Sequence, residues 1–230
     1  WAMILLFLDV FVFEAREKEL KIEAAKIKEQ FDCDVLQLPW RALMVGTRPD
    51  ASVTSEFAAK YRARHKAFSQ LYEWYRPEVG QLPIEIARIS CQAENCDWDS
   101  KLRRKYAKYV ALSVGLFLAC MLFVGLIGGV SLDGFVLAVL YPVLPAVKLG
   151  VQQYRRHNQA ADALDRLKDY CTRTWREAIA GTAKVAELEM RCRELQDEIF
   201  KQRCQDPLAP KRIYRWLARK YSGHLRNAAL

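Results

Sequence analysis

The chain has 230 residues, with 36 Lys and Arg against 27 Asp and Glu, a formal net charge of +9. That balance favours anionic partners such as lipid head groups or nucleotides, unless the excess only flanks membrane helices. Three histidines and seven cysteines without a standard pair spacing exclude a conventional zinc framework, and the odd cysteine count reads as reduced thiols.

Residues 1–13 are apolar apart from Asp9 and too short to cross a bilayer alone. They lack the basic start and cleavage site of a signal peptide, so they read as the end of a transmembrane helix whose N-terminal part is missing. An acid in such a stretch faces water, a partner helix or a pore, or else sits at the interface, which makes Asp9 a membrane and pore candidate.

From Glu14 the chain becomes charged but keeps a helical period. Leu20, Ala24, Ile27 and Phe31 fall on one face of a helix. Arg16, Lys18, Lys21, Lys26 and Lys28 follow the apolar stretch and mark the cytoplasmic side. Pro39, Gly46 and Pro49 rule out a single helix through 31–50, which predicts a short extended piece or turn there. Asp50 and Ser52 offer N-cap chemistry for a helix to about Lys66.

Tyr61 and Arg62 near the end of that helix, and Trp74, Tyr75 and Arg76 before Pro77, place flat faces beside cations. The combination suits a nucleobase with its phosphate, and equally a domain core. After Gly80 a helix starts near Pro83 and runs through CDWDSKLRRKYAKY toward the membrane, carrying Arg103 and Arg104.

Tyr109 to Leu132 contains no Asp, Glu, Lys, Arg or His and is long enough to cross a bilayer core. Its partner, Gly134 to Val147, is shorter and interrupted by Pro142 and Pro145. Together they read as a membrane hairpin, with a buried soluble hairpin as the alternative. Gly125, Gly128 and Gly129 permit close helix approach, and Pro142 and Pro145 leave carbonyls free. Lys and Arg cluster outside both hairpin ends and are absent from the turn, which puts the ends inside and the turn outside.

From Val151 a second cytoplasmic helix carries a seam of Ala160, Leu164, Leu167, Cys171, Trp175 and Ile179. Gly181 punctuates it, and another helix runs to about Gln205 before Pro207 and Pro210. The tail is basic, with Ile213, Trp216, Leu217 and Tyr221 able to share one face. The regions are therefore 1–13, the end of a membrane helix; 14–108, cytoplasmic helices with aromatic and basic loops; 109–147, the hairpin; 148–206, cytoplasmic helices; and 207–230, a basic amphipathic tail. The fold class is an all-α membrane protein: transmembrane helices continuous with a cytoplasmic helical bundle.

The sequence holds no GxxxxGK[ST] loop, no GxSxG and no HExxH, and His65, His157 and His224 are scattered. No nucleophile–base pair is suggested, so the chain reads as a non-enzyme without a cofactor or metal.

The phrases FDCDVLQLPW, GTRPD, WYRPEVGQLPIEIARISCQ, CDWDSKLRRKYA, LDRLKDY and ELQDEIF, in that order, resemble the SMODS-associated four-transmembrane family. These are pore-forming effectors of bacterial cyclic-oligonucleotide antiphage systems (CBASS). The resemblance runs from about Leu8 to Trp216. A full member would carry two membrane helices before residue 14, of which only the end of the second stands here.

The resemblance implies a multi-pass protein of the bacterial inner membrane, most of it cytoplasmic. It would bind a cyclic di- or oligonucleotide, homo-oligomerise and permeabilise the membrane, causing abortive infection. No nucleic acid polymer is expected as a partner. For the ligand, Tyr61, Arg62, Trp74, Tyr75, Arg76, Arg103 and Arg104 are the candidates. The alternative is a membrane anchor or scaffold whose cytoplasmic helices dock a protein partner.

Overall fold

The structure, a computed structural model, describes residues 14–64, 75–129 and 131–208. Asp9 and the membrane-helix end, the 65–74 stretch with Tyr72 and Trp74, and the basic tail beyond Leu208 lie outside the described residues. Every described element is helical: α1 Glu14–Leu36, α2 Ala42–Val45, α3 Ala51–Arg64, a 3-10 turn at Pro77–Gln81, α4 Ile84–Ile127, α5 Leu132–Phe135, a π turn at Val136–Leu140, α6 Tyr141–Ile179 and α7 Val185–Gln205.

Local chemistry sets these boundaries. α1 runs past Phe31 to Leu36, further than the extended piece expected there, because FDCDVL contains no breaker and Pro39 is the first. It stops with Gln37 in the left-handed region at φ +52°, while the Leu38 N–H bonds the Cys33 carbonyl at 2.9 Å. α3 begins as expected: the Ser52 N–H donates to Asp50 Oδ1 at 2.8 Å. α6 ends at Gly181, φ +69°, where Gly181 N–H bonds Ala178 O at 3.1 Å and Thr182 N–H bonds Glu177 O at 3.1 Å. That is the paired closure glycine permits after a helix.

The second hairpin helix departs from expectation. Pro142 and Pro145 do not interrupt it. Both lie within α6, a 39-residue helix that continues without a break past Lys148 and Gly150. The π turn explains how. It shifts the bonding by one residue, so that Tyr141 N–H reaches Val136 O, directly before Pro142, which has no N–H to give.

The chain divides into two compact units, residues 1–96 with 166–205, and residues 97–165 with 206–230. In the first, Ala25, Val45 and Phe200 form a small core against Trp40 and Cys204. Trp40 Nε1–H donates to Gly46 O at 2.9 Å, and the Arg48 guanidinium stands 5.2 Å over its ring.

α1 buries a face other than its Leu20–Phe31 stripe. Ala25, Glu29, Asp32, Cys33 and Leu36 are buried, whereas Leu20 and Phe31 are 46% and 49% exposed. The polar face wins because α7 supplies its partners. Arg193 Nη2 bonds Glu29 Oε1 at 2.7 Å and Asp197 Oδ1 at 2.9 Å. Gln196 Nε2 donates to Glu29 Oε2 at 2.8 Å and Asp32 Oδ2 at 3.0 Å. Gln92 Nε2 from α4 donates to Gln196 Oε1 at 3.0 Å. Burying carboxylates is tolerable only with such pairing.

The second unit is an antiparallel hairpin of α4 and α6. Leu102 and Tyr106 pack with Trp98 and Val110. The Tyr106 and His157 rings meet edge to face with centroids 4.4 Å apart.

Candidate functional site

Two features of the structure carry functional chemistry: the apolar hairpin in one unit and a cationic cavity in the other. α4 and the helix containing α6 each hold a stretch long and apolar enough to cross a membrane, and 0% of either stretch is buried. A soluble core hairpin would bury those residues. Exposed Leu116, Phe123, Leu126, Ile127 and Leu137 instead suit hydrocarbon.

Within the hairpin the glycines have distinct duties. Gly125 faces the Phe135 ring of its own chain, closer than any added Cβ would permit. Gly150 stands in the same relation to Val114. Gly129, φ +59°, serves the turn, and nothing lies within 4 Å of its Cβ direction. Gly128 N–H closes the helix end on Val124 O at 2.9 Å. A cavity of about 310 Å³ lies between the helices, lined by Ser113, Val114, Phe117, Ala146 and Val147. It sits beside Pro145.

Arg103 and Arg104 are engaged by carboxylates at the charged end of the hairpin. Arg103 Nε bonds Asp99 at 3.1 Å, its Nη2 meets the buried Asp206 at 2.6 Å, and its Nη1 reaches Pro207 O at 3.3 Å. Arg104 Nη2 bridges Asp162 at 2.7 Å and Asp165 at 2.5 Å, tying α4 to α6. Both arginines fasten this unit together.

The remaining sequence candidates fall in the first unit and do not form one constellation. Tyr61 and Arg62 lie on the exposed face of α3. Tyr75 turns inward, its hydroxyl accepting from Asn95 Nδ2 at 2.9 Å; burial first and the Asp32 charge second raise its pKa. Arg76 stays largely exposed, 4.0 Å from Glu94. Trp74 lies outside the described residues.

The cationic cavity was not among the sequence candidates. It measures about 510 Å³, and its described wall is Arg166, Asp169, Thr172, Arg173 and Arg176 of α6. The three arginines are exposed, and none makes an ion pair among the described residues. Steps of seven and three residues put them on one helix face. That signal is present in LDRLKDYCTRTWRE alongside the apolar seam. Three forked guanidiniums beside a hydroxyl suit a phosphodiester anion. Among the described residues no group of His, Cys, Asp or Glu could hold a metal ion.

A family model described as "SMODS-associating 4TM effector domain" matches residues 1–229. The chain is also similar to a Bacillus cereus (strain VD146) protein named "Probable CBASS effector molecule", with 22% identity over 197 residues. That alignment covers 85% of this chain and 63% of the relative, so the chain spans under two thirds of the relative's length. No solved structure matches.

Proposed function

The chain belongs to the SMODS-associating 4TM effector domain family, and from that membership we propose that it is the membrane-permeabilising effector of a CBASS antiphage system. A cyclic di- or oligonucleotide made on infection is the signal, and loss of inner-membrane integrity is the output. The observation that carries this reading is the family match over nearly the whole chain, joined to two long helices that each hold an unburied apolar stretch.

In this reading the hairpin crosses the inner membrane with its Ser131–Asp133 turn outside and residues 14–105 and 150–230 in the cytoplasm. The ligand's phosphates are held by Arg166, Arg173 and Arg176, which make no ion pair among the described residues although Asp169 shares their wall, in preference to Arg103 and Arg104. α6 bears those arginines and also forms the second hairpin helix, so binding acts on a membrane-spanning element directly. Several copies assemble to open the membrane.

The test is propidium iodide entry in bacteria producing the full-length protein together with a cyclic-nucleotide synthase. Dye enters when both are present and the synthase is active. A scaffold without a pore leaves the dye excluded while still recruiting its partner. Purified protein titrated calorimetrically with cyclic di- and trinucleotides examines the ligand assignment separately. Arg173→Ala with Arg176→Ala weakens binding about a hundredfold or more, at ~1.5–3 kcal/mol for each charge-assisted contact.

A further inference from the structure

α1 is two-faced in an unusual sense. Its buried side carries Glu29, Asp32 and Cys33 beside Ala25 and Leu36, and its open side carries Leu20, Ala24, Phe31 and Val35, with Ile27 half-buried. Leu20, Ala24, Ile27 and Phe31 are separated by steps of four, three and four, which is the a/d spacing of a coiled-coil seam. Leu20 is 46% and Phe31 49% exposed, with Val35 at the flank 45% exposed. The residues packed into the unit, Ala25, Glu29, Asp32, Cys33 and Leu36, take the b, c and f positions of the same heptads. One helix thus serves its own unit with one face and presents a separate, narrower seam with the other. A seam of this period fits another helix; a lipid surface needs a broader apolar face.

We propose that this seam pairs with α1 of a second copy of the chain, in parallel. The inference rests on the reading of the chain as membrane-embedded and not on its ligand. Copies in one bilayer share one orientation, so a symmetry axis lies along the membrane normal and equivalent helices running along it meet in parallel.

The flanking charges fit that register. Glu23 at g faces Lys28 of the second copy at e, and the relation repeats on the other side of the pair. Of the other opposed flanks, Gln30 with Val35 is uncharged, and Arg16 with Lys21 is neutralised inside each chain: Arg16 bonds Glu19 at 3.1 Å and Lys21 bonds Glu17 at 2.8 Å. The seam ends at Asp34, which lies at the next d position 3.6 Å from Arg48. Two heptads are short for association in free solution. Confinement of both copies to one membrane raises their effective concentration and makes such a length sufficient.

The test uses full-length protein in native membranes, with a benzophenone amino acid placed singly at Ala24 or, as a control, at the exposed Lys201 of α7. Irradiation at position 24 yields an adduct of twice the chain mass, and position 201 does not. Phe31→Glu raises the dissociation constant of the self-association about thirtyfold or more, as loss of a central aromatic contact does. Glu23→Lys weakens association, and Glu23→Lys with Lys28→Glu restores it, an outcome a merely structural role for Glu23 would not give.

Three results would overturn the pairing. They are a position-24 adduct to another protein or to lipid alone, equal adducts at 24 and 201, or unchanged association in Phe31→Glu that retains the parent's helical content. Dye entry and nucleotide binding are scored separately, so failure of the seam and failure of the effector reading are told apart.

Discussion

Arg193 and Glu29, separated by 164 positions in sequence, meet at 2.7 Å with their side chains 3% and 0% exposed. The pair joins α7 to α1, and Asp197 extends it to Arg41 at 2.6 Å. Arg193 Nη1 also donates to the Pro39 carbonyl at 3.0 Å, so the loop after α1 hangs from the same guanidinium. Cys33, 3.3 Å from Arg193, has its thiol pushed up to about 11 by burial and then by the Glu29 charge.

Removing one partner leaves the other charged and buried. Arg193→Ala therefore destabilises the helical unit by about 3–5 kcal/mol, and Glu29→Ala by a similar amount. Replacing both with well-packed apolar residues costs less than either single change. Thermal unfolding followed by circular dichroism in detergent, arranged as a double-mutant cycle, checks both statements. Additive losses would mean the pair is not coupled.

His157 gives a pH dependence with a defined sign. It is fully buried, and neither ring nitrogen has a hydrogen-bond partner among the described residues. Burial first, then the Arg103 guanidinium, lowers its pKa from 6.5 to about 4, against a smaller upward pull from Asp99. The unfolded chain thus binds a proton at higher pH than the folded one. Stability is intact above about pH 6.5 and falls as pH drops toward 4, by about 3 kcal/mol at most from this group. His157→Phe keeps a ring against Tyr106 and flattens the stability profile across that window. A profile of unchanged slope in the variant would place the acid sensitivity elsewhere.

The hairpin glycines predict a contrast. Gly125→Leu drives a side chain into the Phe135 ring and costs about 1–3 kcal/mol, read as a fall in the unfolding temperature in detergent. Gly115→Leu, on the same helix with nothing within 4 Å, leaves that temperature unchanged. Equal effects would show that α4 and α5 do not pack as described.

Topology is tested at the turn. Benzophenone chemistry is unsuited here, but a Ser131→Cys variant reacts with an impermeant maleimide in intact spheroplasts, whereas Lys21→Cys reacts only after lysis. The reverse pattern would invert the membrane orientation.

The sequence shows the helices well where composition alone decides. The uncharged run from Tyr109, the Asp50 cap, the Gly181 stop and the Pro207 end all appear where local chemistry puts them. It misleads where long-range pairing competes with local pattern. The Leu20–Phe31 stripe looks like a core face because its burial competitor, the Glu29–Asp32 face, is acceptable only once Arg193 and Gln196 arrive from α7. Pro142 looks like a breaker because a π turn is invisible to period-counting.

The candidate site was legible only in part. Arg103 and Arg104 stand where expected, but the acids that occupy them, Asp99, Asp162, Asp165 and Asp206, come from three separate segments. Arg166, Arg173 and Arg176 lie in the sequence as a helical face, and what distinguishes them, the absence of an ion pair among the described residues, is a property of the fold.

In the proposed function a cyclic nucleotide makes this protein open a membrane. Its most direct test is carboxyfluorescein release from liposomes holding the purified full-length protein, titrated with a panel of cyclic di- and trinucleotides. Rapid release is expected with one or a few members of the panel and none with their linear counterparts, with Arg173→Ala/Arg176→Ala shifting the response to higher nucleotide concentration. Vesicles that stay sealed at saturating, demonstrably bound nucleotide would contradict it.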